Sequence, residues 1–171
     1  MVFKIEDFTQ KDIKSVLKLN QRSQPHLSHL TYERLSELVE FTFHFRVIKY
    51  EENVVAFLMG MEEGQPYDSV NYIWMSNYCK SFYYIDRIAV RENFQFQGLG
   101  KALYNDSQFY AILKKKPIMA CEVNIIPPNP ESIRFHHRLG FHPVGEQNTE
   151  RGNKRVQYMV KNLTGSISPT L

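Results

Sequence analysis

The sequence has few cysteines and no long hydrophobic run, and these two shortages exclude several classes of protein. Its 2 cysteines, Cys79 and Cys121, form no metal-binding or redox motif, so we expect free thiols in a reducing compartment. No apolar stretch approaches the ~18 residues that a membrane-spanning helix needs. The charged, alternating residues 1–7 do not resemble a signal peptide. We therefore expect a cytoplasmic protein with no membrane partner.

The chain also lacks a large excess of charge of either sign. Its 21 Lys and Arg residues and 18 Asp and Glu residues leave a formal net charge of +3. The one basic cluster, Lys114 to Lys116, lies at the end of a predicted helix, where cations complement the helix dipole. We therefore expect no nucleic-acid partner. With 43% hydrophobic residues, the composition fits a single globular domain at residues 1–163, followed by a loose tail at 164–171.

Hydrophobic periodicity predicts a mixed α+β domain with the element order β-α-α-β-β-β-α-β-α-β-β. The strand at 82–90 is strongly apolar and is expected in the centre of the sheet. Residues 64–81 are rich in aromatic side chains and are expected to be irregular. The last two strands, at 141–146 and 155–160, are expected to flank a polar turn at 150–153.

A glycine-containing turn at residues 95–100 (Gln-Phe-Gln-Gly-Leu-Gly) joins this central strand to a helix. Glycines allow close backbone approach, and the first turn of a helix offers free N–H groups, so together they can hold a diphosphate. A P-loop is excluded because Gln95 and Ala102 replace its glycine and its hydroxyl residue. A dinucleotide fingerprint is excluded because Leu103 replaces its third glycine. A glycine turn without a ligand is the remaining alternative at this point.

Two motifs in register resemble the GNAT superfamily of acetyl-CoA-dependent N-acetyltransferases. Gln-x-x-Gly-x-Gly at 95–100, after the strand that ends at Asp86-Arg87-Ile88-Ala89-Val90, resembles the family's pyrophosphate loop. Asn129-Pro130-Glu131-Ser132, then Phe135-His136 and Leu139-Gly140-Phe141, resembles the family's second motif. The element order agrees with the family along essentially the whole chain.

The resemblance implies a GNAT-like fold, with a largely antiparallel mixed sheet that is flanked by helices and splayed between its fourth and fifth strands. Acetyl-CoA would lie as co-substrate in the wedge, which is the gap between these two strands, and no metal is implied. Pro127 and Pro128 are consistent with strand pairing that stops there. The positions implied to bind the cofactor are Ile88, Val90, Gln95, Phe96, Gln97, Gly98, Leu99, Gly100, Lys101, Asn129 and Ser132.

The leaving thiolate gains from a proton donor, and His136 is the candidate for that acid. It stands where the family usually has tyrosine, and a helix that begins at Asn129 places Asn129, Ser132 and His136 on one stripe. An imidazolium is a good acid, but it is largely lost above pH ~6.5. His136 could therefore donate a proton, orient the sulfur or only fill space.

An attacking ammonium must first lose a proton, so the site needs a base. Period-2 alternation places Asp86 on the same side of its strand as Ile88 and Val90, which makes Asp86 the first candidate. The alternatives for Asp86 are an ion pair with a neighbour such as Arg87 or a structural hydrogen bond. Glu122 is the second candidate, and a water relay to solvent would need no base at all.

The aromatic connection at 65–82 is expected to shape the acceptor site through Tyr72, Trp74 and Tyr78. Aromatic rings with polar tips make good walls for a small-molecule pocket, although they can equally cover the sheet as part of the core. The predicted function is acetyl transfer to a primary amine of a small molecule or peptide, by direct attack in a ternary complex. A non-catalytic acyl-CoA-binding module is the alternative, and a homodimer is compatible with the sequence.

Overall fold

The computed structural model describes residues 3–163, which form a seven-stranded sheet with helices on both faces. The strands are β1 (Ile5–Asp7), β2 (His44–Tyr50), β3 (Asn53–Glu62), β4 (Tyr83–Val90), β5 (Ile118–Ile126), β6 (His142–Thr149) and β7 (Lys154–Asn162). The helices are α1 (Ile13–Arg22), α2 (Tyr32–Val39), α3 (Val70–Tyr78), α4 (Leu99–Leu113) and α5 (Pro130–Arg138). The predicted tail at 164–171 lies outside the described residues.

The sheet has the order β1-β2-β3-β4-β5-β7-β6, and only the central β4–β5 pair is parallel. β4 and β5 are paired at Tyr83 with Met119 and at Tyr84 with Ala120, and then they separate. β5 continues beyond this point in antiparallel pairing with β7. The predicted GNAT-like fold, splayed between its fourth and fifth strands, is thereby confirmed.

A hydrophobic core covers each face of the sheet. Val16 of α1 and Leu35 of α2 are buried against one face, and Leu103 and Ala111 of α4 are buried against the other. β3 is buried along nearly its whole length because both layers pack on it. None of the helices within residues 3–163 is long and apolar enough to cross a membrane.

The segment predicted to be irregular contains a helix, α3, and that prediction is therefore wrong. The Ser69 hydroxyl caps α3 by accepting a hydrogen bond from the Tyr72 amide at 3.4 Å. Its residues are mostly aromatic or β-branched, and these residue types have only moderate helix preference. Tyr72 and Met75 are buried on one side of α3, while Ile73 is half exposed on the other. Apolar residues on both sides hide the helical period in the sequence.

A β-bulge in β4 reverses the direction of its side chains. The pairing with β3 passes from Ile85 to Arg87 and leaves Asp86 without a partner. Arg87 then reaches α1 on one face, whereas Ile88 and Val90 pack with the α4 side of the core. The prediction that Asp86 shares a face with Ile88 and Val90 is wrong, because strict alternation ends at the bulge.

Candidate active site

The divergence of β4 from β5 opens a cleft of about 1230 Å³ that runs to the first turns of α4 and α5. The residues that the sequence implied for the cofactor all line this cleft, with the exception of Gln97. The Gln97 side chain instead donates a hydrogen bond to the Asn93 carbonyl at 3.1 Å. His136 and both candidate bases, Asp86 and Glu122, also line the cleft.

The glycine turn before α4 is shaped as an anion cradle. Gly98 has a φ of +84° and occupies the N-cap position, and a Cβ added there would meet nothing within 4 Å. No side chain in the described part of the chain caps α4, so the first amides of the helix remain free for a ligand. The Gln95 side chain donates to the Val90 carbonyl at 3.1 Å and ties the turn to the end of β4. This donor set fits a diphosphate group.

Cationic side chains surround this cradle. Arg91 and Lys101 line the cleft near the turn, and Arg134 and Arg138 line it from α5. They would attract the phosphates of a coenzyme A molecule. Sequence reasoning did not identify the α5 arginines as cleft residues, although their i, i+4 spacing places them on one helix face.

His136 and Tyr104 form a buried hydrogen-bonded pair in the wall of the cleft. His136 Nδ1 lies 2.7 Å from the Ser132 carbonyl oxygen, which can only accept, so Nδ1 carries the proton. His136 Nε2, at 2.5 Å from the Tyr104 hydroxyl, therefore accepts a hydrogen bond from it. Burial lowers the pKa of His136 to about 4, so the imidazole is neutral near pH 7. Sequence reasoning missed Tyr104. It follows Gly100 by four residues and therefore lies on the same face of α4 as that cleft-lining glycine, which could have indicated its position.

Asp86 is held in an ion pair rather than free in the wedge. One of its oxygens accepts from the Tyr67 hydroxyl at 2.7 Å, and the other accepts from Arg87 Nε at 2.7 Å. Only 4% of the Asp86 side chain is exposed. Both alternatives that the sequence left open for Asp86, an ion pair with Arg87 and a structural hydrogen bond, are present in the structure.

Glu122 on β5 is the carboxyl group with the most altered acidity in the cleft. Burial raises the pKa of Glu122 to about 7, the hydrogen bond from Tyr84 opposes that rise, and the negative charge of Asp86 adds to it. The Tyr84 hydroxyl donates to one oxygen of Glu122, and the Asn71 amide donates to the other at 3.0 Å. A carboxyl group with a pKa near 7 can both accept and release a proton at neutral pH.

A smaller cavity of about 100 Å³ adjoins the cleft. The two spaces share six wall residues, His26, Leu27, Asp86, Arg87, Glu122 and Asn124. The remaining walls come from the α1–α2 connection, the start of α3 and the β6–β7 turn, and they are mostly polar. Glu122 therefore lies at the junction of the two spaces.

The three aromatic residues expected at the acceptor site line neither space. Tyr72 is 2% exposed, packs edge-on against Tyr84, and donates to the Glu62 carbonyl at 2.7 Å. Trp74 stacks on Tyr158 with ring centroids 3.9 Å apart, and Tyr78 stacks on Trp74. Tyr72 and Trp74 cover the sheet as part of the core, which is the alternative that the sequence had left open, whereas Tyr78 is half exposed.

Comparison with known proteins agrees with this geometry. The model of the acetyltransferase (GNAT) family matches residues 13–141. Ard1 from Thermoplasma volcanium shares the fold, with a TM-score of 0.78 and 23% identity over 95% of this chain and 98% of that chain. The ribosomal-protein-S18-alanine N-acetyltransferase from Escherichia coli has a TM-score of 0.74 and 15% identity over 99% of each chain.

A third solved structure is Naa20 from Chaetomium thermophilum in complex with a bisubstrate analogue. It has a TM-score of 0.76 and 16% identity over 93% of this chain and 86% of that chain. No curated protein matches by sequence. Because the family model spans most of the sequence and these structures share the fold, the chain belongs to the GNAT acetyltransferase family.

Proposed function

We propose that this protein is an N-acetyltransferase that moves an acetyl group from acetyl-CoA to a primary amine by direct attack in a ternary complex. The observation that carries the proposal is the position of Glu122 at the junction of a large cleft and a small polar cavity. A base at that junction can serve an amine that enters from the cavity and a thioester that lies in the cleft.

The cleft supplies the groups that such a co-substrate needs. The amides at the start of α4 and the surrounding arginines would hold the phosphates, and Asn129 and Ser132 would lie along the pantetheine arm. Asn129 is fixed because its side-chain oxygen caps α5 through the Ser132 amide at 3.3 Å. When bound, acetyl-CoA supplies the acetyl group as an activated thioester.

Glu122 is proposed as the base that takes a proton from the incoming ammonium. Its pKa of about 7 leaves a substantial carboxylate fraction at neutral pH while keeping the group basic. Tyr84 and Asn71 fix the carboxyl orientation from two sides. Asp86 contributes by its negative charge, which keeps the pKa of Glu122 high, rather than by taking the proton itself.

The acceptor is proposed to be a peptide amine. The small cavity is lined by Ser69, Asn71, Thr149 and Lys154, which could hydrogen-bond the polar groups that follow the amine. The relative from Escherichia coli is named for an alanine of ribosomal protein S18, and the Naa20 structure holds a bisubstrate analogue. The name of the Escherichia coli relative supports a peptide acceptor over a small-molecule one.

One observation favours a second candidate, a non-catalytic module that binds acyl-CoA. His136 is neutral near pH 7 and cannot act there as an imidazolium acid. The position where the family usually has a tyrosine therefore holds no acid that could protonate a leaving thiolate.

Release of free thiol from acetyl-CoA, measured with a panel of peptides, separates the two candidates. We expect amine-dependent release by the wild type, and a fall of about 100-fold or more in Glu122→Gln because general-base catalysis is lost. Glu146→Gln is the matched control, because Glu146 lies on β6, pairs with Arg155 of β7 and lines neither space. Tight binding of acetyl-CoA without thiol release for any peptide would support the non-catalytic module.

A further inference from the structure

Tyr104 is the sole tyrosine among the described residues that line the cleft. It is 3% exposed, and its ring is held edge-on by Phe135 and Phe141, with centroids 5.5 and 5.7 Å away. Burial raises the pKa of the Tyr104 phenol well above its ordinary value. The hydroxyl therefore keeps its proton and can act as a hydrogen-bond donor.

The His136 imidazole fixes the direction of that hydroxyl. Because Nδ1 donates to the Ser132 carbonyl, Nε2 has only a lone pair to offer, and the Tyr104 proton points to it. Ser132 and His136 belong to the same helix, so the imidazole cannot turn without breaking the bond to the Ser132 carbonyl. A neutral, oriented acceptor thus holds a hydroxyl proton at the wall of the cleft.

We propose that Tyr104 is a catalytic residue that donates its hydroxyl hydrogen bond to the sulfur as the C–S bond breaks, and that His136 is the residue that positions it. The inference rests on the proposed acetyl transfer. In that step the nitrogen forms a bond to the acetyl carbon, and the C–S electron pair leaves with the sulfur. Glu122 takes one proton from the ammonium before attack, the nitrogen loses its second proton to solvent as the amide forms, and solvent finally protonates the thiolate.

The arrangement of Tyr104 and His136 favours a hydrogen bond from the Tyr104 hydroxyl to the sulfur only when negative charge develops on the sulfur. Before reaction the Tyr104 hydroxyl has a neutral partner in His136, and a neutral thioester sulfur is a weak acceptor that does not compete with it. A thiolate is an anion, and hydrogen bonds to ionised groups are roughly twice as strong as bonds between neutral groups. The hydroxyl therefore turns to the sulfur as the bond breaks, which lowers the barrier without tightening substrate binding.

The first test uses coenzyme A itself and needs no turnover. The ultraviolet absorbance of the thiolate gives the pKa of the bound thiol, and we expect Tyr104→Phe to raise that pKa by about 1 to 2 because a donor to the charged form is lost. Tyr110→Phe is the matched control on the same helix, because the Tyr110 hydroxyl bonds Glu62 away from the cleft. An unchanged thiol pKa in Tyr104→Phe with bound coenzyme A would overturn the inference.

Turnover provides the second test. Tyr104→Phe should lower kcat by about 10- to 100-fold and leave the acetyl-CoA KM nearly unchanged, because the hydrogen bond forms only in the transition state. His136→Gln, whose side-chain oxygen can still accept from Tyr104, should retain more kcat than His136→Phe. Equal losses in these two variants would remove the positioning role.

The two tests separate this inference from the proposed function. If the wild type releases no thiol with any peptide, acetyl transfer fails, whereas the coenzyme A measurement still reports on Tyr104. If the wild type is active and Tyr104→Phe keeps full kcat and the same thiol pKa, only the inference about Tyr104 fails. If Tyr104→Phe does not fold, the kcat values of His136→Gln and His136→Phe test the inference instead, because only the glutamine can still accept the hydrogen bond from Tyr104.

Discussion

At the scale of single residues, two ionisable groups in the wall of the cleft, His136 and Glu122, determine what the site can do near neutral pH. Burial keeps His136 neutral and brings the pKa of Glu122 to about 7. The two groups therefore have different tasks, since Glu122 can exchange a proton and His136 can only accept a hydrogen bond at Nε2. Neither property can be read from residue type, because both depend on neighbours that come from other strands and helices.

The pH dependence of turnover should report Glu122. The carboxylate is the active form of a base, so kcat/KM should rise with pH through about 7 and then level off. Glu122→Gln should lose this rise, while Glu146→Gln should keep it. A wild-type profile with its rise at the ordinary glutamate pKa near ~4.3 would contradict the assignment.

Thermal unfolding should report the same carboxyl group without any substrate. The pKa of Glu122 is higher in the folded chain than in the unfolded chain, so the folded state binds more protons between those two values. Stability should therefore decrease as the pH rises from about 4.3 to 7. The Tm difference between Glu122→Gln and the wild type should become more positive from pH 5 to pH 8. A difference that is constant over this range would show that the pKa is not raised.

At the scale of elements, local motifs could be predicted from the sequence and long-range features could not. The glycine turn and the capped start of α5 are each specified within a few consecutive residues, so their place in the cleft follows from the sequence. The bulge at Asp86 depends on how β4 pairs with β3, and no single-strand pattern reveals it. The α3 helix was missed because its apolar residues lie on more than one side and show no period.

The glycine turn gives a prediction for Gly98, and Gly64, a glycine of similar backbone conformation elsewhere in the chain, provides the control. Gly98→Ala adds a methyl group in the open space where we expect the ligand to contact the backbone of the turn. It also strains the backbone, because residue 98 has a φ of +84°. We expect coenzyme A affinity to fall by about 10-fold or more, which is ~1.4 kcal/mol. Gly64→Ala carries the same kind of strain at φ of +80°, also in open space, but lies outside the cleft.

Calorimetry with both variants separates strain from ligand contact. Equal destabilisation in thermal unfolding is expected for the two variants, and loss of coenzyme A affinity is expected only for Gly98→Ala. If Gly98→Ala binds coenzyme A as tightly as Gly64→Ala, the turn does not hold the diphosphate.

At the scale of the whole molecule, the splayed sheet is what brings distant residues to one place. β4 and β5 separate after two paired positions, and the opening receives α4 and α5 on one side and the β6–β7 turn on the other. The walls that α4 and α5 contribute to the cleft could be predicted because their motifs are contiguous. The walls of the smaller cavity could not, because Asn71, Glu122 and Thr149 meet only in the folded sheet.

The central claim is that Glu122 serves an acceptor amine in the small cavity and a thioester in the cleft. Mass spectrometry of a peptide mixture incubated with the protein and acetyl-CoA at pH 8 tests it most directly. The account predicts acetylation of primary amines by the wild type and by Glu146→Gln, and a loss of about 100-fold or more in Glu122→Gln. Equal acetylation by the wild type and Glu122→Gln, or no acetylated amine with bound acetyl-CoA, would contradict it.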